Sequence, residues 1–226
     1  MNNQAQTQKK YEFTGETKEF NGITLKQIRR ISDQLIGGWI EKEENLSHEG
    51  SCFVYGDARV SGNAWVYGDA QVYGNAWVYG NAWVYGDARV SGNAWVYGDA
   101  QVYGNAWVYG NAWVYGDARV SGNAWVYGDA QVYGNAWVYG NAWVYGDARV
   151  NAGMIVRVSL NKTPVSINTS DNYTCFLDPA TNKIQAGCRD FTREEAVKHW
   201  TETRGGTELG EERLNMITAL YALNGL

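Results

Sequence analysis

The stretch that decides the fold is VYGNAWVYGNAWVYGDAR, Val72 to Arg89. In each hexad Ala-Trp-Val-Tyr sets small or aliphatic residues against large aromatic ones with a period of two, the signature of a strand with two different faces. The following Gly and Asn or Asp tolerate positive φ and suit a tight corner. A strand of four residues and a corner of two, repeated, describe a coil with flat sides.

The pattern extends outward in both directions. From Val54 to Arg149 the chain is sixteen consecutive hexads of the form V-(Y/S)-G-(N/D)-A-(W/R/Q). Within them the block VYGDARVSGNAWVYGDAQVYGNAWVYGNAW occurs three times unchanged, at 54–83, 84–113 and 114–143. If each corner turns through about a third of a circle, three hexads close one coil, and successive coils stack by strand pairing at about 4.8 Å. The predicted architecture is a mainly β, triangular parallel β-solenoid. Its expected divisions are an N-terminal cap at 1–52, the hexapeptide-repeat solenoid at 53–150 and a small C-terminal α+β cap at 151–226. Unpaired strand edges at both ends of a solenoid need such covers.

The repeats resemble the hexapeptide-repeat, left-handed parallel β-helix family. Val54, Val60 and Val66 take the family's aliphatic place, and Ala58, Ala64 and Ala70 its small one. A left-handed coil is what this resemblance implies; the usual crossover rule favours the right hand. The segments KEFNGITLKQIRRI (Lys18 to Ile31) and GGWIEKEENLSHEG (Gly37 to Gly50) resemble the amino-terminal part of bacteriophage and enterobacterial hexapeptide-repeat proteins. GCRDFTREEAVKHW (Gly187 to Trp200) is similar to a C-terminal module found with phage repeat proteins. The resemblance implies a phage origin more than an activity, because a transferase-like label given from fold alone is a weak warrant.

After the repeats, MIVRVSL, TPVSIN, NYTCFLD and KIQAGC read as short strands, with a hairpin turn at DPATN (Asp178 to Asn182). Thr192 and Glu195 form a capping box that opens a helix through His199 and Trp200. A second helix is expected from about Leu209 to Leu223, with Leu214, Ile217 and Tyr221 on its apolar face.

Composition narrows the function. The net charge of −5 divides into −1 before the repeats, −3 within them and −1 after them, leaving no basic footprint for nucleic acid. MNNQAQTQKKYEF has no apolar core of a signal sequence, and no segment is apolar enough to span a bilayer, so a cytoplasmic address and no membrane partner are expected. Cys52, Cys175 and Cys188 lack metal or redox spacing and read as reduced, structural thiols, although Arg189 and Asp190 beside Cys188 leave room for a reactive one.

In the resembled family the enzymes are acyltransferases, which use a histidine base, and carbonic anhydrases, which hold a metal with three histidines. This chain has only His48 and His199. No catalytic residue, metal or cofactor is therefore assigned. An acyltransferase with a cap histidine as base is kept as an alternative. The repeats contain no threonine for ice binding, and Asn interrupts the Asp rows that DNA mimicry would need.

A thirty-residue block wound on an eighteen-residue coil distributes its aromatics unevenly. One side collects Trp77, Tyr79, Trp95, Tyr97, Trp113 and Tyr115; a second collects Trp107, Tyr109, Trp125, Tyr127, Trp143 and Tyr145; the third is interrupted by Gln101, Arg119 and Ser121. Six contiguous outward aromatics exceed the apolar patch that monomers tolerate, and Trp and Tyr are favoured interface anchors. These twelve residues are the expected partner-binding set of a non-catalytic structural protein that self-associates into a homo-oligomer, with a host protein or a glycan as alternative partners. The same winding stacks Asp69 under Asp87, Asp99 under Asp117 and Asp129 under Asp147. Like charges at that spacing predict at least one raised pKa in each pair and a fold that gains stability toward mild acidity.

Overall fold

The computed structural model describes residues 8–151, 155–156, 166–168, 174–178, 181–187 and 189–223. Cys188 and most of the segments MIVRVSL and TPVSIN lie outside them.

The hexads form a parallel β-solenoid. Eighteen two-residue strands, from Phe53–Val54 to Ile155–Val156, recur every sixth residue and pair with the strand eighteen residues on, as Trp77 does with Trp95 and Val78 with Val96. They sort into three parallel sheets of six, which makes about six coils. The strands are two residues long where four were expected, because Ala and Tyr already belong to the bends. The ladder still runs through the corner: Trp77, Tyr79 and Asn81 amides donate to the Ala94, Val96 and Gly98 carbonyls at 2.9, 3.0 and 2.8 Å. Backbone polar groups facing the next coil thus find partners without long strands.

The core holds only Val and Ala of the hexads, every one of them buried, from Val54 to Val150. Two small aliphatics per hexad fit the narrow interior, and burying each Val contributes about 1.5–3 kcal/mol. At the corners the constraint is the neighbouring coil. Gly74 has φ +70°, and a Cβ there would stand 3.0 Å from the Gly92 amide nitrogen, so neither the conformation nor the space suits another residue.

The amino-terminal segment closes the first coil by extending it. β1 (Tyr11–Phe20) and β2 (Ile23–Arg30) form an antiparallel ribbon, and β3 (Ile36–Ile40) pairs antiparallel with β2 on one edge and parallel with Arg59–Val60 on the other. A second side is covered by side chains and loop backbone. The Asn45 amide donates to the Gly62 and Ala64 carbonyls, the Ser47 N–H to the Val66 carbonyl, and the buried Tyr11 hydroxyl to the Leu46 carbonyl at 2.9 Å. The edge that would recruit another strand is therefore occupied.

At the other end, Ile155–Val156 pairs with Trp137–Val138 and carries the solenoid one strand past the last hexad. Four antiparallel strands follow, in the order Ser166–Asn168, Thr174–Asp178, Lys183–Ala186 and Arg189–Phe191. Alternation along Thr174–Asp178 divides the packing: Cys175 and Leu177 face a separate core with Ile184, Trp200, Ile217 and Leu220, while Phe176 joins the core of the solenoid. Helix α1 (Arg193–Arg204) starts on the expected Thr192–Glu195 capping box, and α2 (Glu208–Leu223) packs with it. No helix among the described residues is long and apolar enough to cross a membrane.

Candidate interaction faces

Each side of the solenoid carries two outward columns. The first begins each strand, and on one side reads Arg59, Trp77, Trp95, Trp113, Gln131 and Arg149. On the second it reads Phe53, Gln71, Arg89, Trp107, Trp125 and Trp143. Two residues after each repeat Trp or Gln comes Tyr, and two after Arg59, Arg89 and Arg119 comes Ser. All twelve candidate aromatics are gathered as expected, six to a side.

On the two six-aromatic sides the first ring of each run is held by one small residue. Ser61, Ser91 and Ser121 stand where other hexads have Tyr, and each accepts a hydrogen bond from the indole N–H sixteen residues on: Trp77 at 3.1 Å, Trp107 at 3.3 Å and Trp137 at 3.1 Å. The missing phenol makes room for that indole to lean down. Trp77 then lies nearly flat on its own Tyr79, with centroids 4.1 Å apart, and meets Trp95 edge-on at 76°. The next two rings stack in parallel, Trp95 with Trp113 at 5.2 Å and 4°. The second side repeats this, Trp107 meeting Trp125 at 77° and Trp125 stacking on Trp143 at 9°. Tyrosines form continuous ladders beside them, Tyr79–Tyr97–Tyr115 and Tyr109–Tyr127–Tyr145 at 4.8–5.3 Å. Reading Ser only as an interruption missed this device, whose signal was its sixteen-residue lead over a Trp.

Accessibility corrects one member of the set. Trp77 is only 6 % exposed, because Phe20 at the end of β1 covers it edge-on at 4.9 Å. It is a cap contact and not an available anchor. Trp113 (37 %) and Trp143 (44 %) remain open, and among the described residues no cap ring stacks on Trp107, Trp125 or Trp143.

The corner columns depart from the like-charge expectation. Asn side chains donate upward from coil to coil, as Asn75 to Asn93, Asn93 to Asn111 and Asn111 to Asp129 at 3.0–3.2 Å. Asp99 likewise accepts from Asn81. Within the pair Asp69 and Asp87, Asp69 is not the raised member: the Ser51 hydroxyl and N–H donate to it at 2.7 and 2.9 Å and hold its carboxyl below the ordinary value. Hydrogen bonds to the charged form outweigh desolvation at this exposed corner.

Both histidines pack against aromatic rings, and His48 is also hydrogen-bonded at both ring nitrogens. The Lys10 N–H donates to His48 Nδ1, so the proton sits on Nε2, which bonds Glu43 at 2.8 Å, and the ring stacks on Tyr11. His199 stacks on Phe191 with centroids 5.0 Å apart. Cys52 is buried, and burial pushes its thiol pKa up against the opposing Lys10 ammonium at 3.1 Å. Among the described residues no three His, Cys, Asp or Glu converge as metal ligands.

Six stretches of the chain, 53–68, 70–86, 82–98, 100–116, 112–128 and 130–146, match the family described as the YdcK beta solenoid repeat. No curated protein matches the chain.

Proposed function

We propose that this β-solenoid repeat protein is a non-catalytic interaction scaffold that assembles through the side bearing Trp107, Trp125 and Trp143. The observation that carries the reading is the contrast between the two six-aromatic sides. On one side Phe20 of β1 covers Trp77, which is only 6 % exposed, whereas on the other the outermost indole, Trp143, is 44 % exposed. Burying such a face between two copies would remove rigid aromatic area from water at little cost in side-chain entropy. The resemblance in the caps and repeats supports a left-handed coil of phage origin, the three hexads per coil support a triangular section, and a cytoplasmic address is part of the same proposal.

Trp125→Ser with Tyr127→Ser is expected to dissociate the assembly, read as molar mass by light scattering, while the far-ultraviolet spectrum stays solenoid-like. Trp95→Ser with Tyr97→Ser is expected to leave the mass unchanged. A wild-type protein that is monomeric at about 100 μM would sink the proposal, since stable homomeric interfaces hold well below that concentration. Acyl transfer from an acyl-coenzyme A that is lost in folded His48→Ala would replace it with the enzyme reading. The engagement of both His48 ring nitrogens argues against that outcome.

A further inference from the structure

On the third side the run of tryptophans is cut short. Trp65 pairs with Trp83, but the next two coils bring Gln101 and Arg119. On the other sides the ring that meets its predecessor edge-on is followed by a parallel one, Trp113 on Trp95 and Trp143 on Trp125. Trp83 meets Trp65 edge-on at 85° and has Gln101 where that parallel ring would stand. Trp83 and Trp65 are 42 % and 40 % exposed.

The two indoles make perpendicular walls with centroids 6.1 Å apart, and the amino-terminal cap supplies a polar rim. Lys42, Glu44 and Asn63 join Trp65 and Trp83 around a cavity of about 350 Å³. The Lys42 ammonium is held on the Asn63 amide oxygen at 3.0 Å. That volume lies in the range of small-ligand sites, which pair apolar walls with a few placed polar groups. The rim holds one cation, one anion and one amide, so it offers donors and acceptors without net charge. An ammonium ligand would meet Lys42, and a phosphate would meet Glu44. What fits both walls and rim is an uncharged ring with an apolar C–H face and many hydroxyls.

The geometry points to a carbohydrate-binding site, in which a neutral hexopyranose stacks on Trp83 and its hydroxyls bond Glu44, Lys42 and Asn63. The site lies on a different side from the assembly face and does not depend on it.

The test uses the full-length protein with cellohexaose, chitohexaose and maltohexaose as probes, read by tryptophan fluorescence and calorimetry. At least one is expected to bind with a dissociation constant near or below about 1 mM. Trp83→Ala and, separately, Glu44→Ala should weaken that binding about tenfold or more. Trp137→Ala, an exposed indole without the polar rim, should leave it unchanged. The exposed Glu44→Ala variant keeps the test decisive if Trp83→Ala melts early. The inference is overturned if no probe binds at ~10 mM, or if binding survives both site variants or falls equally with Trp137→Ala. Choline or inorganic phosphate displacing the sugar would likewise overturn the argument from charge. Oligomeric mass, measured alongside, separates this outcome from failure of the assembly face.

Discussion

Val102 and Tyr103 are neighbours along the chain with opposite surroundings. Val102 is wholly buried among Val and Ala of adjoining coils, whereas Tyr103 lies half-buried on the surface, stacked on Tyr85 at 4.9 Å. Val102→Asp places a charge where nothing can solvate or pair it, and thermal or urea unfolding should show a loss of more than about 3 kcal/mol. Tyr103→Asp should cost far less, and equal losses would refute the assignment of inside and outside. A subtler contrast concerns Ser61. Averaging the hexads recommends Tyr there, yet Ser61 is buried beneath the Trp77 indole that bonds it. Ser61→Tyr should therefore destabilise by about 1–3 kcal/mol through overpacking. A melting temperature that rises instead would show that the indole relocates freely.

At the scale of elements, pH separates the cap from the ladders. Arg30 grips Asp33 through two nitrogens and holds its carboxyl down at about 2, Lys9 and His48 lower Glu43, and Ser51 lowers Asp69. A carboxylate depressed by folding contributes stability above its unfolded value that is lost as pH falls through the folded one. Acidification from about pH 4 to 2 should therefore loosen the amino-terminal cap first, reversing the gain that stacked aspartates alone would predict. Hydrogen exchange at acid pH is expected to accelerate in β1 to β3 before the middle coils. Uniform protection, or protection that increases, would contradict it.

The tyrosine ladders act at the other end of the scale. Burial, and the next phenol in the ladder, raise Tyr67, Tyr85, Tyr97 and Tyr109 and push Tyr79 up to about 12. Folding here favours the neutral form, so stability is whole below the unfolded value near 10 and is lost as pH rises past it. Part of the phenolate absorbance should titrate later in the folded protein than in urea. Coincident curves would mean that the ladders are not closed in solution.

For the whole molecule, the thirty-residue block and the eighteen-residue coil are out of step. One block is five hexads, or one coil and two thirds, and every hexad presents the same Val and Ala to the core. Deleting residues 84–113 should leave a folded, cooperatively melting rod shortened by about 8 Å. It should also carry the C-terminal module to a different side relative to the amino-terminal cap. Small-angle scattering measures the shortening, and a chain that fails to fold would show that coils are not interchangeable. Repeat arrays gain stability from nearest-neighbour coils, so the loss should scale with the coils removed.

The solenoid was legible because its determinants are local and repeated. Val and Ala alternate with bulky side chains at a period of two, and Gly at the corners takes positive φ at each one, Gly74 and Gly92 among them. The gathering of Trp77, Trp95 and Trp113 on one side, and of Trp107, Trp125 and Trp143 on another, follows arithmetically from eighteen residues per coil. What tertiary structure alone decided are contacts between segments that no period relates. Phe20 from the cap covers Trp77, Ser61 draws the same indole down, and Lys42 and Glu44 arrive beside Trp65 and Trp83. Register along the solenoid is set by a short-range pattern, but which aromatic stays open depends on where a nonrepeating chain end packs, and that is settled only when distant surfaces compete for the same buried area.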